Sequence, residues 1–112
     1  MRDDRLYLLY IQEAIGRIEE YAQAGREAFL QSALLQDAII RRLQTLTEST
    51  QRISMELKAR HPEVDWRALA GFRNVLVHDY LGVDAELVWE IVEKKLPELK
   101  GRVEAMRGEL GG

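Results

Sequence analysis

The chain has 112 residues, 46% of them hydrophobic and 31% charged, with a formal net charge of −3 at pH 7. This length fits one domain spanning residues 1–112, and the absence of cysteine excludes a disulfide framework, a thiolate metal site and a cysteine nucleophile. The negative balance argues against a protein that coats nucleic acid by bulk electrostatics, so a nucleic-acid substrate must be drawn in by a local cluster of arginines and lysines.

No apolar run approaches the roughly 18 residues needed to span a bilayer. The charged start of the chain, with Arg2, Asp3, Asp4 and Arg5, does not resemble a signal peptide. We therefore expect a soluble protein of the cytoplasm.

Apolar residues spaced three or four apart predict two long helices in the first half of the chain. The first helix carries Leu8, Ile11, Ile15, Ile18 and Ala22. Gly25 is expected to end it, and residues 26–31 are expected to add a turn or two before Ser32 caps the next helix. That second long helix has one apolar stripe as far as Pro62, made of Leu35, Ile39, Leu43, Leu46, Ile53 and Leu57.

Two further helices are predicted in the second half. Asp65 is expected to cap a third helix from Trp66 to about Tyr80, closed by Gly82, and Asp84 to cap a fourth. The apolar stripe of the fourth helix is Val88, Val92, Leu96, Leu99, Val103, Met106 and Leu110. Pro97 lies inside that stripe and should kink the helix near Glu93, because proline removes one backbone hydrogen bond. With no strand-like alternation, the sequence predicts an all-α antiparallel helix bundle.

The third helix concentrates polar side chains that are able to do chemistry. At about 100° per residue, Asn74 and His78 lie on one face a turn apart, within reach of a hydrogen bond, and Arg73 nearly aligns with Tyr80. Arg73 and His78, however, diverge by roughly 140°. They converge only if the helix frays near His78 or if two copies meet across a symmetry axis, and a homodimer solves the geometry directly. Gly71, one side-chain-free position on this helix, would permit another helix to approach closely.

These residues alone also fit a purely structural helix. A histidine near a helix C-terminus is favoured by the helix dipole, and Arg73 is able to pair with a surface carboxylate. Under that interpretation the grouping of Asn74, His78 and Tyr80 is a coincidence.

The order Arg73, four residues, His78, one residue, Tyr80 resembles the R-x4-H-x-Y signature of the HepT family, within the HEPN superfamily and its R-x4-6-H motif. The resemblance extends along nearly the whole chain. Its other landmarks are the segments 36–41, 61–66, 83–84, 88–89 and 96–97, which read QDAIIR, HPEVDW, VD, VW and LP.

This resemblance implies a helical-bundle homodimer that acts as a metal-independent endoribonuclease toxin. Its partner would be a minimal nucleotidyltransferase antitoxin of the MntA type, which adenylylates the motif tyrosine. Carried over by position, Arg73 and His78 become the catalytic pair, Asn74 a supporting residue and Tyr80 the modification site.

The implied roles suit the chemistry of RNA cleavage without a metal. A histidine side chain such as that of His78 is the residue type most often used to transfer protons at cellular pH. Arg73 stays charged and is able to hold phosphate oxygens through its fork of donors. Arg42 departs from the family, in which we expect asparagine more often. It either adds charge that binds substrate or packs its stem along the apolar stripe with its head in water, and both interpretations stay open.

Metal catalysis is disfavoured and no cofactor is expected, because neither His61 nor His78 has a partner at the spacing of a known metal motif. Trp66 and Trp89 are interpreted as core residues rather than base-stacking platforms, and His61 as a helix-terminal residue. The main alternative to an enzyme is a non-catalytic HEPN module that docks a nucleotidyltransferase or binds nucleotide. The presence of Arg73 together with His78 favours the enzyme, because docking alone does not need that pair.

Overall fold

The computed structural model describes residues 3–111, with the exception of the side chain of Tyr80. In this part of the chain there are helices and turns and no strand, so the predicted all-α bundle is confirmed. The α-helices are α1 (Asp4–Ala22), α2 (Arg26–Gln31), α3 (Ala33–Arg52), α4 (Met55–Arg60), α5 (Trp66–His78), α6 (Ala85–Glu90) and α7 (Leu96–Glu109). A 3₁₀ turn (Tyr80–Gly82) follows α5, and a π-helical turn (Ile91–Lys95) joins α6 to α7.

Helix α3 lies at the centre of the bundle. It packs against α1 on one side and α5 on the other, while α1 also contacts α7 and α2 contacts α3 and α6. The apolar stripes predicted from the sequence supply most of this core, with Leu8, Ile11, Ile15, Ile18, Ile39, Leu43, Leu46, Val88, Val103 and Met106. Leu76 of α5, which lies outside those stripes, is buried with them. Burial of these side chains is the main force that holds α5, and therefore the motif, against α3.

The predicted helix starts are confirmed. The Ser32 hydroxyl accepts the backbone N–H of Leu35 (3.1 Å) and caps α3. Asp65 in the same way accepts the N–H of Ala68 (2.9 Å) at the start of α5. Each cap satisfies a backbone donor that has no partner within its own helix. Asp84 does the same for α6, by accepting the N–H of Glu86 (2.9 Å).

The prediction of one uninterrupted helix from Ser32 to Pro62 is wrong. The backbone becomes extended at Ile53 and Ser54, which divides the segment into α3 and α4. Asp4 stabilises this break, because its carboxylate accepts the backbone N–H of Ser54 (2.8 Å) and the Ser54 hydroxyl (2.6 Å). The same hydroxyl oxygen accepts the N–H of Leu57 (3.1 Å) and so caps α4. Ile53 and Leu57 stay buried, so the apolar stripe continues across the break.

The expected disturbance near Glu93 takes the form of a widened turn. The N–H of Leu96 bonds to the carbonyl of Ile91, five residues back, in place of the usual four. Pro97 follows immediately, in the first turn of α7, where a missing N–H costs little. The helical stripe therefore continues through Val92, Leu96 and Val103, all of which are buried.

His61, Trp66 and Trp89 each make contacts that hold the fold together. His61 ends α4, and its ring nitrogens lie 3.1 Å from Glu63 and 3.0 Å from Glu109, which ties α4 to the end of α7. The Trp66 indole donates to the carbonyl of His61 (3.0 Å). Trp89 is buried against Phe29, with ring centroids 5.4 Å apart. None of the described helices has the length and apolar character needed to cross a membrane.

Candidate active site

Helix α5 packs against α3 through the buried Leu76 and through polar contacts, one of which is at its last turn. Leu76 is fully buried. Its carbonyl, in the last turn of α5, accepts a hydrogen bond from Nε2 of Gln44 on α3 (2.9 Å). Carbonyls of a last helical turn lack partners within the helix, so this contact satisfies one of them and holds the C-terminal end of α5 in place. The motif residues therefore project from a positioned helix.

Arg73 is the most constrained of the motif residues. Its Nε donates to a carboxylate oxygen of Glu48 on α3, and its Nη1 donates to the amide oxygen of Asn74 (3.2 Å). The Arg73 side chain is 30% exposed. A guanidinium has five N–H groups, so two are used by these contacts and the other three have no hydrogen-bond partner among residues 3–111.

Asn74 supports Arg73 rather than His78. Helical spacing allowed the amide of Asn74 to reach the imidazole one turn further on, but its oxygen contacts Arg73 instead. His78 is exposed at the last position of α5 and has no hydrogen-bond partner within the described part of the chain. Asn74 therefore helps to set the direction of the arginine fork.

The helix does not fray before His78. The N–H of Asp79 still bonds to the carbonyl of Val75 (2.9 Å), so helical geometry persists through His78. The divergence of roughly 140° between Arg73 and His78 therefore holds, and no hydrogen bond joins them among residues 3–111. Fraying of the helix near His78, which was one of the two ways to bring this pair together, is therefore not observed.

The third helix ends earlier than predicted, which affects Tyr80. Asp79 has left helical geometry (φ −145°, ψ 36°), and Tyr80 begins the separate 3₁₀ turn. The helical spacing that aligned Tyr80 with Arg73 therefore does not apply, and that expectation was wrong. The Tyr80 side chain lies outside the described part of the structure, whereas the neighbouring Leu81 is 87% exposed.

Arg42 lies apart from the motif. It is half-buried on α3, at the edge of the apolar stripe, and is not among the residues that line the groove beside Arg73. Its two interpretations, substrate binding and packing of its stem, stay predictions.

Glu48 is the site residue that the sequence interpretation missed. It contacts Arg73 across 25 positions of sequence, and it also lines a groove of about 600 Å³ between α1, α3 and the end of α5. A signal was present, because Arg41, Glu48 and Arg52 fall within about 40° on the face of α3 opposite its apolar stripe. No motif of the sequence pointed to that polar face.

This arrangement is able to bind a phosphate and move a proton. A guanidinium that is held in place and has unpartnered N–H groups suits phosphate oxygens. The exposed imidazole of His78, on a residue about 7.5 Å further along the helix axis, is a group able to transfer a proton. The fold and these residues together define an all-helical HEPN-type protein with a surface arginine–histidine motif.

The comparisons with known proteins agree with this class. The family model described as "Ribonuclease HepT-like" matches residues 11–106, and the chain belongs to the HepT-like ribonuclease family. It is therefore assigned to the ribonucleases. No solved structure gives a significant match.

Curated relatives cover nearly the whole chain. It is 39% identical to the "Probable ribonuclease HepT" of Thermococcus cleftensis over 95% of this chain and 97% of the relative. It is 37% identical to a Methanocaldococcus jannaschii protein whose name joins a gamma-glutamylcyclotransferase to a proposed RNase, over 97% of this chain but 50% of that protein. A proposed RNase of Caldanaerobacter subterraneus is 34% identical over 92% of this chain and 93% of its own length.

Proposed function

We propose that this protein is a metal-independent endoribonuclease toxin whose active site forms where two copies of α5 meet. The observation that supports the proposal most directly is the hydrogen bonding of the Arg73 side chain. Glu48 and Asn74 hold its guanidinium, and its other three N–H groups have no hydrogen-bond partner within the described part of the chain. Positioned cationic donors of this kind stabilise the charge that develops at phosphorus during phosphodiester cleavage.

The proposed reaction is an internal transesterification of RNA. The ribose 2′-oxygen forms a bond to the adjacent phosphorus and gives up its proton, while the bond from phosphorus to the 5′-oxygen breaks and that oxygen gains a proton. Arg73 binds the phosphate oxygens, and His78 transfers one of the two protons. The products are a 2′,3′-cyclic phosphate and a 5′-hydroxyl.

The proposed homodimer would bring two copies of the motif helix α5 together. Ala68, Gly71 and Val75 lie three and four residues apart on α5, and all three are exposed in the single chain. An added Cβ at Gly71 would meet nothing within 4 Å among the described residues, so this position is open in the single copy. In an isologous interface through this face, each motif lies against its twin. His78 lies on this same side of α5, so the two copies of His78 would lie near the interface, whereas Arg73 lies on the opposite side, toward α3.

The biological setting we propose is a toxin–antitoxin pair. A minimal nucleotidyltransferase antitoxin of the MntA type would transfer AMP from ATP to the Tyr80 hydroxyl, which forms the phosphodiester bond, releases pyrophosphate and loses its proton. Tyr80 belongs to a turn two residues beyond His78. The added phosphate and adenosine would compete with RNA for Arg73, so inactivation would need no unfolding.

The experiment that tests the reaction is an end-group analysis of cleaved RNA. Purified protein is incubated with single-stranded RNA in excess chelator, and the product termini are identified by mass spectrometry. We expect cleavage to persist with 2′,3′-cyclic phosphate and 5′-hydroxyl ends. Loss of cleavage on chelation, or 5′-phosphate ends, would contradict the proposed chemistry.

A further inference from the structure

We propose that the groove between α1 and α3, next to Arg73, is the binding site for the single-stranded RNA that flanks the cleaved bond. This inference rests on the proposed function and specifies its substrate: RNA whose bases are unpaired. The groove has a volume of about 600 Å³, and its lining includes Tyr7 and Tyr10 of α1, Arg41, Glu48 and Arg52 of α3, and Val77 of α5.

The groove is continuous with the catalytic arginine. Glu48 lines the groove and also accepts the hydrogen bond from Nε of Arg73. Val77 lines the other side and directly precedes His78 on α5. A strand whose phosphate lies at Arg73 therefore enters this groove with its next nucleotides.

The charge of the lining favours a polyanion. Arg41 and Arg52 lie on one face of α3, about 16 Å apart along its axis, which is farther than one nucleotide reaches. Arg41 contacts Gln44 (3.4 Å), and within the described residues neither arginine has a carboxylate partner. The acidic group of the lining, Glu48, is neutralised by Arg73. This is the local cationic cluster that a protein with a net charge of −3 needs in order to attract RNA.

The aromatic side of the groove suits bases. Tyr7 and Tyr10 pack edge to face, with ring centroids 6.0 Å apart and an interplanar angle of 71°. Tyr10 is 40% exposed, so part of its ring is available to a ligand. A basic groove that follows the backbone, beside an aromatic ring on which a base stacks, is how proteins bind single strands without reading their sequence. Paired bases cannot stack in this way, so duplex RNA is the poorer ligand.

The test measures binding separately from cleavage. His78→Ala, which is unable to cleave under the proposed function, serves as the background. Its affinity for a short, fluorescein-labelled single-stranded RNA of mixed sequence is measured by anisotropy over a series of salt concentrations. Adding Arg41→Gln and Arg52→Gln together should weaken binding. It should also reduce the slope of log affinity against log salt by about 1.4, since each lost phosphate contact removes about 0.7 for a single strand.

Arg26→Gln is the matched control for loss of one positive charge. Arg26 pairs with Glu86 (3.0 Å) at the surface of α2 and does not line the groove. It should leave the salt slope unchanged. Far-ultraviolet circular dichroism and thermal unfolding verify that each variant is folded.

The stacking contribution is tested at Tyr10. Tyr10→Ala should weaken binding of the single strand about five- to a hundredfold, whereas Tyr10→Phe should retain the affinity because the ring remains. Duplex RNA of the same sequence should compete poorly.

The outcomes separate this inference from the proposed function. If the arginine pair and Tyr10→Ala bind like the Arg26→Gln control, or if the His78→Ala background binds no RNA, the groove is not the RNA site. That result would leave the cleavage reaction untouched, because the end-group experiment on the wild-type protein tests it independently. If wild-type protein fails to cleave but binding shows the expected dependence on the arginines and Tyr10, the groove is supported and the cleavage reaction is overturned.

Discussion

Glu48 and Arg73 are joined by a hydrogen bond between their side chains, which links the central helix α3 to the helix that carries the motif. The two charges are partly exposed, at 44% and 30%. A pair this exposed contributes at most about 1 kcal/mol to stability. Its greater effect is on geometry, because a guanidinium held at Nε presents its remaining donors in a fixed plane.

Removal of Glu48 should therefore impair catalysis more than folding. We expect Glu48→Ala to lower kcat about tenfold to a hundredfold, since a small misplacement of a catalytic group is costly. KM for RNA should stay the same or fall, because a negative charge leaves the groove. Glu48→Gln retains an acceptor oxygen and should recover part of kcat. Steady-state kinetics on both variants measure the separate effects on kcat and KM. A wild-type kcat in Glu48→Ala would show that the contact does not position Arg73.

A substitution at Gly71 tests dimer formation without disturbing the fold of the single copy. A Cβ added there would meet nothing within 4 Å in the described part of the chain, so Gly71→Glu should leave the helix of a single copy as stable as before or slightly more stable, as helix propensity predicts. A second copy against this face would instead meet a bulky charge. We expect the variant to be a monomer by light scattering and to lose RNase activity.

Gly108 provides the matched control, because it is exposed on α7 and also has open space around its Cβ position. Gly108→Glu should stay dimeric and active. A fully active Gly71→Glu monomer would contradict a shared active site.

Asp4 should make stability depend on pH. Burial alone would raise the pKa of Asp4, but hydrogen bonds, among them those from the backbone N–H and hydroxyl of Ser54, hold it below its ordinary value. The ionised form is therefore favoured by folding. Its contribution is present above the unfolded-state pKa, near 3.8, and is lost as the pH falls through the lower folded-state pKa.

Asp4→Asn should destabilise the protein at neutral pH by roughly 1–3 kcal/mol and should reduce the loss of stability on acidification. Urea unfolding at neutral and acidic pH measures both effects. Asp37→Asn removes an exposed carboxylate from α3 and is the control, with little change expected. An identical effect of the two variants would exclude a particular role for Asp4.

Tyr80 should be the residue that accepts AMP. Co-expression with a minimal nucleotidyltransferase of the MntA type should add one or more AMP units to the intact mass. The increment should vanish in Tyr80→Phe and persist in Tyr21→Phe, which alters a half-buried tyrosine near the end of α1. If the partner neutralises the protein without a change of mass, it inhibits by binding, and Tyr80 is not modified.

The features predicted correctly from the sequence are those set by the spacing of nearby residues. The apolar stripes of α1 and α7 are set by residues three or four apart, and the caps at Ser32, Asp65 and Asp84 act within one helical turn. Chemistry at Arg73 was inferred in the same way, from residues within eight positions and a family resemblance. Both kinds of inference use neighbours along the chain.

Contacts across the chain were not predictable in this way. The break at Ile53 and Ser54 contains no proline or glycine, and it depends on Asp4, 50 residues away. The partner of Arg73, likewise, is a glutamate 25 residues earlier in the sequence. Each contact arises from the packing of two helices, which periodicity alone does not specify.

We propose that Arg73 and His78 together cleave RNA without a metal. The most direct test is single-turnover cleavage of RNA, in excess chelator, by the wild-type protein, His78→Ala and Arg73→Lys. We expect cleavage by the wild-type protein only. His78→Ala removes the proton carrier, and Arg73→Lys keeps the charge but loses the planar fork. Because His78 is exposed, the thermal unfolding of His78→Ala should match that of the wild-type protein. Cleavage at the wild-type rate by either folded variant would contradict the account.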